Sequence, residues 1–91
     1  MITKEKEILY KDISYKIIGL AMEVHSKLGH GFLEKVYENA MMIEFGKEKI
    51  LAIAQSPIKV IYENETVGEY YADILVDNKV IVEIKAAKND E

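Results

Sequence analysis

Two stretches in the first half of the chain carry apolar residues at helical spacing. Residues 12–28 predict an amphipathic helix, because apolar side chains recur there every three or four positions. Its inward positions are Ile13, Ile17, Leu20, Ala21, Val24 and Leu28. Asp12 is a residue type that caps helix N-termini, and Gly29 is the type that ends helices. A second helix is predicted over residues 32–47. Its expected inward positions are Leu33, Val36, Ala40 and Ile43.

After Pro57 the apolar positions alternate with polar ones, which is the pattern of β-strands. The alternation predicts strands over residues 58–62, 67–76 and 80–86. The order of elements is therefore helix, helix, strand, strand, strand. We expect an α+β fold in which two helices pack on a three-stranded antiparallel meander.

The apolar pattern also predicts the register of the last two strands. A three-residue connection over 77–79 pairs Val76 with Val80 and keeps apolar residues opposite each other. The same register pairs Ile74 with Val82 and Ala72 with Ile84. A slip of one residue would turn a whole face of the strand toward water, so the pattern selects this register. Asn78 and Lys79 are then expected to adopt the bulge conformation of the turn.

This register sets Asp73 opposite Glu83, with Lys85 two residues along on the same face. Residues that face each other across two strands lie about 5 Å apart at Cβ, so two carboxylates can converge on one cation. Without a cation, facing like charges destabilise a sheet. The alternative interpretation is that Glu83 and Lys85 are solvent-facing residues of a half-buried sheet.

Composition limits the classes of function. A chain of 91 residues, 49% hydrophobic and 31% charged, predicts one globular domain. The charged first residues do not resemble a secretory signal, no apolar run spans a bilayer, and cysteine is absent. These features predict a cytoplasmic protein. The net charge of −4 and the absence of arginine disfavour a sequence-specific DNA reader more than a metal-dependent phosphodiesterase.

Two motifs carry a resemblance to a known family. Asp73 followed by Glu83-Ile84-Lys85 resembles the D…ExK signature of the PD-(D/E)XK nuclease superfamily. Gly31, Glu34 and Tyr37 match the GxxExxY pattern of a family placed among these nucleases. The resemblance covers essentially the whole chain.

The resemblance implies a site for Mg²⁺ or Mn²⁺. Asp73, Glu83 and the backbone carbonyl of Ile84 would be the metal ligands, and oxygen ligands suit these hard cations. Lys85 would position or activate the attacking water and stabilise charge on the phosphate. Glu34 would be a catalytic acid on the second helix. An acid there is equally explained by the helix macrodipole, so both interpretations of Glu34 stand.

The remaining polar residues of the helical half are interpreted structurally. Gly31 permits the sharp turn between the helices. Tyr37 is expected to be a packed ring whose hydroxyl reaches the edge of the site. His25 and His30 have no partner histidine at metal-ligand spacing, so both are interpreted as structural or solvent-exposed.

Members of the resembled family continue into a further helix and strand after the ExK strand. Residues 1–91 are therefore expected to form one domain that is an incomplete restriction-endonuclease-like core lacking that helix and strand. The resemblance implies metal-dependent hydrolysis of nucleic-acid phosphodiester bonds, with DNA or RNA as substrate. The alternative is a catalytically silent oligomerisation or regulatory module derived from a nuclease. We expect a homodimer through the edge of residues 80–86 or through an uncovered sheet face that includes some of Ile74, Val76, Val82 and Ile84.

Overall fold

The computed structural model describes residues 10–85 as two helices followed by a three-stranded sheet. The elements are α1 (Lys11–Leu28), α2 (Glu34–Lys47), β1 (Ala52–Tyr62), β2 (Glu65–Val76) and β3 (Val80–Val82). Both strand pairs are antiparallel and the strand order is β1-β2-β3. The predicted α+β architecture is confirmed, and it agrees with part of a PD-(D/E)XK-like core.

The apolar stripe of α1 packs on the core as its spacing predicts, except at Ala21, which is exposed. Ile17, Leu20 and Val24 are buried. The prediction of Asp12 as N-cap is wrong, because the helix begins at Lys11 and its cap position is Tyr10, which makes no side-chain capping bond. Asp12 lies instead in the first turn, where the helix macrodipole favours an acid.

The inward face of α2 differs from the prediction. Leu33 precedes the helix, which begins at Glu34 rather than at residue 32, and Leu33, Val36 and Ile43 are exposed. Only Ala40 of the predicted set packs against the core. The buried residues of this helix are Glu38, Met41, Glu44 and Phe45. Two charged residues thus lie on the inward side, and this mixture weakens the helical apolar pattern.

β1 begins six residues earlier than predicted and runs through Pro57. The alternating pattern that starts after Pro57 predicts a strand from Ile58, and proline cannot donate a hydrogen bond to a neighbouring strand. Among residues 10–85, however, β1 is an edge strand of the sheet, with β2 on one side only. An edge strand tolerates proline, so the strand passes through this position.

The predicted register of β2 and β3 is confirmed where the two strands pair. Val76 pairs with Val80, and the connection between them is three residues long. The left-handed residues of this turn are Asp77 and Asn78, each with φ of 56°, and not Lys79 as expected. Asp and Asn adopt this conformation at lower cost than other non-glycine residues.

The core lies between the two helices and the inner face of the sheet. Its fully buried centre contains Phe45, Ile74 and Val76. The expectation of an uncovered sheet face is therefore wrong, because Ile74 and Val76 are fully buried in the core and the half-buried Val82 and Ile84 pack against it. Neither helix within residues 10–85 combines the length and apolar character that crossing a bilayer requires.

Candidate functional site

The pairing of β2 with β3 stops one step before Asp73. β3 ends at Val82, shorter than the predicted strand over residues 80–86, of which Ala86 lies outside the described residues. Consequently Asp73 and Glu83 do not form a regular ladder pair, and the predicted pair of Ala72 with Ile84 is absent from the ladder. The segment after β3 instead stays close to β2 through the side chain of Asp73, because the backbone N–H of Ile84 donates to Oδ2 of Asp73 at 2.7 Å.

This hydrogen bond joins the two parts of the predicted metal site. The donor is the peptide group between Glu83 and Ile84, so the Asp73 carboxylate lies directly beside the residues predicted to bind metal with it. Asp73 is half-buried and Glu83 is exposed. An N–H group that binds one oxygen of a carboxylate fixes the direction of the other oxygen. Hydrogen bonds of this kind orient the ligands of metal sites.

A cleft of about 320 Å³ lies next to these residues, between α1, the turn that follows it and the end of the sheet. Its polar lining comprises His25, His30, Tyr37, Glu83 and Lys85. Asp73 does not line the cleft, but it accepts a hydrogen bond from the backbone of Ile84, which does. A mainly apolar cleft with a few convergent polar groups is the usual form of a ligand site.

Glu83 and Lys85 are both exposed. Within residues 10–85, no salt bridge joins either side chain to another residue. Both the metal-site and the solvent-facing interpretations place these two side chains on the surface. Their functional roles therefore stay predictions.

Glu34 is the first residue of α2, is exposed and does not line the cleft. In the described part of the chain, no three Asp, Glu or His side chains come together as a group that could hold a metal. A cation bound here would thus rely on Asp73, Glu83 and backbone oxygen rather than on three acidic side chains. The catalytic role of Glu34 stays a prediction.

Tyr37 connects the start of α2 to the turn that precedes it. Its hydroxyl donates to the carbonyl oxygen of Gly29 at 2.8 Å and accepts from the N–H of Phe32 at 3.3 Å. Gly31, with φ of 103°, lies between these two partners. Tyr37 borders the cleft, as predicted, but its hydroxyl bonds to the turn between the helices rather than to the predicted metal-site residues.

The two histidines meet, which the spacing of the sequence did not indicate. The rings of His25 and His30 lie edge to face with centroids 5.6 Å apart, and both line the cleft. The left-handed Gly29 folds the chain back at the end of α1, with its N–H donating to the carbonyl of His25. The sequence signal for this contact was Gly29, which lies between the two histidines. A glycine at a helix end predicts a turn, but it does not predict which side chains the turn brings into contact.

Comparison with known proteins gives one finding about the whole chain. A family model described as the PD-(D/E)XK nuclease superfamily matches residues 11–90. The match spans both helices, the three strands and the segment from Asp73 to Lys85. No curated protein and no solved structure matches the chain significantly. The narrower GxxExxY assignment stays a prediction from the sequence.

Proposed function

The chain belongs to the PD-(D/E)XK nuclease superfamily, and on that basis we propose that it hydrolyses nucleic-acid phosphodiester bonds with a bound Mg²⁺ or Mn²⁺ ion. The observation that carries this proposal is the 2.7 Å hydrogen bond from the Ile84 N–H to Asp73 Oδ2. It holds the carboxylate of one strand against the peptide that follows Glu83. The family membership favours this function over a catalytically silent module.

The ligands of the cation in this proposal are Asp73, Glu83 and the backbone carbonyl of Ile84. All three supply oxygen, which Mg²⁺ and Mn²⁺ prefer. When bound, the cation would stabilise charge at the phosphate and would make a water molecule a better nucleophile. The chain has a net charge of −4, which would repel the phosphates of the substrate. A bound cation would reverse part of that negative charge at the site.

Lys85 and Glu34 have different places in the proposal. Lys85 borders the cleft two residues after Glu83, where its ammonium group would position the attacking water and stabilise charge on the phosphate. Glu34 lies at the N-terminus of α2 and would assist as an acid from the helix. We expect its removal to reduce activity less than the removal of Lys85.

Metal removal gives the direct test of this function. Cleavage of labelled single- and double-stranded DNA and RNA should require Mg²⁺ or Mn²⁺ and should stop on addition of EDTA. Glu83→Gln should lower the rate by at least about 100-fold, because a neutral amide binds these cations poorly. Glu65→Gln removes the same charge from an exposed position at the start of β2 and should have no effect. Cleavage that survives EDTA, or that Glu83→Gln leaves unchanged, contradicts the proposal.

We also propose that two copies of the chain associate through β3. Within residues 10–85, β3 lies at the edge of the sheet with no strand beyond it, and its sequence is Val80-Ile81-Val82. Val80 and Val82 point toward the helices, so the available groups are the outer backbone edge and the half-buried Ile81. Edge strands without charge or proline are suited to pairing with a second strand.

The oligomeric state tests this association. Analytical ultracentrifugation at micromolar concentration should give about twice the 10.4 kDa mass of one chain. Ile81→Lys should give the monomer, because a charge on an edge strand opposes pairing. Ile61→Lys, on the exposed part of β1, should leave the dimer intact. A monomeric wild-type protein would rule out the association.

A further inference from the structure

Glu38 is a buried carboxylate that the proposed chemistry does not use. It lies on the inward side of α2 and is only 4% exposed. Its Oε1 accepts a hydrogen bond from Nε2 of Gln55 at 2.9 Å, and its Oε2 accepts one from Nζ of Lys35 at 3.0 Å. Burial of a charged carboxylate is costly unless its oxygens are bonded. Both oxygens of Glu38 have partners, so its position is specified by a residue of the sheet.

That partner, Gln55, has an unusual backbone for a strand residue. Its φ is 53°, in the left-handed region that side chains other than glycine rarely adopt. Its neighbours are regular, because Ala54 pairs with Ile74 and Ser56 pairs with Ala72. The irregularity is thus confined to one residue. Such local strain persists only where surrounding contacts hold it, and it is frequent at functional sites.

The position of the irregularity is across from Asp73. By register, Asp73 is the residue that Gln55 would face between the two regular pairs on either side, yet these two residues do not pair. On the other side of Asp73, the ladder with β3 has already ended. Asp73 is therefore flanked by an interrupted ladder on both sides, and its carboxylate binds the Ile84 N–H there.

The side chain of Gln55 also lies on the unexpected face. Side chains alternate along a strand, and Ser56 is buried toward the helices, so a regular Gln55 would point away from them. Its amide instead bonds to Glu38 on α2. The hydrogen bond and the left-handed backbone belong to the same distortion.

We propose that Glu38 and Gln55 are a positioning pair for Asp73. Glu38 holds Gln55 out of the ladder, and the resulting gap leaves Asp73 free to turn its carboxylate toward the Glu83–Ile84 peptide and a divalent cation. This inference rests on the proposed metal site, but its first step concerns only the conformation of Gln55. The two steps are therefore tested separately.

The first step is tested without metal, by Cα and Cβ chemical shifts at residue 55, which report its backbone conformation. Glu38→Met fills the buried space with an apolar side chain and removes the acceptor, so the shifts of Gln55 should move from left-handed toward extended values. Glu44→Met replaces the other buried acid of α2 and should leave residue 55 unchanged. Left-handed shifts that persist in Glu38→Met would overturn the inference.

The second step is tested by the affinity for Mn²⁺, measured calorimetrically. Gln55→Val should lower the affinity about tenfold or more, because a β-branched residue favours the extended conformation that closes the ladder. Gln55→Gly permits the left-handed backbone without strain but loses the hydrogen bond to Glu38, so its affinity should lie between those of wild type and Gln55→Val. Lys59→Val places the same residue at an exposed, regularly paired position of β1 and serves as the control.

The outcomes separate this inference from the proposed function. Wild-type affinity in Gln55→Val, together with loss of binding in Asp73→Asn, overturns the positioning role and leaves the metal site intact. A larger loss in Gln55→Gly than in Gln55→Val also overturns it, since glycine permits the left-handed conformation and valine opposes it. If the wild type binds no Mn²⁺, the proposed function fails, and the chemical shifts still decide whether Glu38 holds Gln55.

Discussion

Replacement of Lys85 by methionine should lower the rate of phosphodiester hydrolysis by at least about 100-fold while Mn²⁺ affinity stays within about threefold of wild type. Methionine keeps an unbranched apolar stem and removes only the ammonium group. The expected loss is in the chemical step, because we assign Lys85 to the attacking water and the phosphate rather than to the cation. Steady-state cleavage rates and calorimetric Mn²⁺ titration of the same preparation measure the two effects.

Lys59 provides the matched control. It is an exposed lysine of β1, outside the lining of the cleft. Lys59→Met removes the same charge and should retain full activity. Equal losses in the two variants would show a general effect of charge on substrate binding, and the assignment of Lys85 to the site would then be wrong.

Phe45→Ala should destabilise the fold by about 3–5 kcal/mol. Phe45 is 0% exposed and lies with Ile74 and Val76 at the centre of the core. Removal of the ring loses buried apolar area and leaves a cavity between α2 and the sheet. Because single domains are stable by only about 5–15 kcal/mol, much of the variant should unfold at denaturant concentrations that leave the wild type folded.

Ile43 lies two residues before Phe45 on the same helix and is 64% exposed. Ile43→Ala should therefore change the free energy of unfolding by less than about 1 kcal/mol. Urea unfolding followed by circular dichroism compares the two variants. Similar free energies of unfolding for Phe45→Ala and Ile43→Ala would contradict the core described above.

The sheet was the part of the fold that the sequence predicted best. Ala72, Ile74 and Val76 alternate with less buried residues, and the same alternation begins again at Val80. A period of two allows only one register that keeps both apolar sets on the same face. The pattern therefore predicted which residues of β2 and β3 lie opposite each other, up to the point where β3 ends.

α2 was predicted less well because its inward side is partly charged. Glu38 and Glu44 are buried, and their cost is offset by Lys35, Gln55 and Lys47. A hydrophobic pattern cannot indicate a buried acid whose partner comes from another element. For the same reason, the pattern wrongly assigned Leu33, Val36 and Ile43 to the inward side, and these residues are exposed.

The arrangement of the candidate site was predicted only in part. Strand register predicted that Asp73 lies beside the Glu83–Ile84 segment, and the Ile84 N–H donates to Asp73 there. The sequence did not predict that the ladders stop on both sides of Asp73. On the β1 side, the gap coincides with a left-handed glutamine and with its hydrogen bond to a residue 17 positions away. Neither leaves a local pattern, since glutamine is unremarkable in an exposed strand position.

The measurement that tests the central claim most directly is a calorimetric Mn²⁺ titration of wild type, Asp73→Asn and Asp77→Asn. Asp77 is a turn residue four positions away whose carboxylate pairs with Lys79 on the surface, at 3.4 Å, so its variant is a matched loss of one charge. We predict saturable binding by the wild type and by Asp77→Asn, and a loss of at least about tenfold in affinity for Asp73→Asn. Equal Mn²⁺ affinities for all three proteins would contradict a metal site at Asp73.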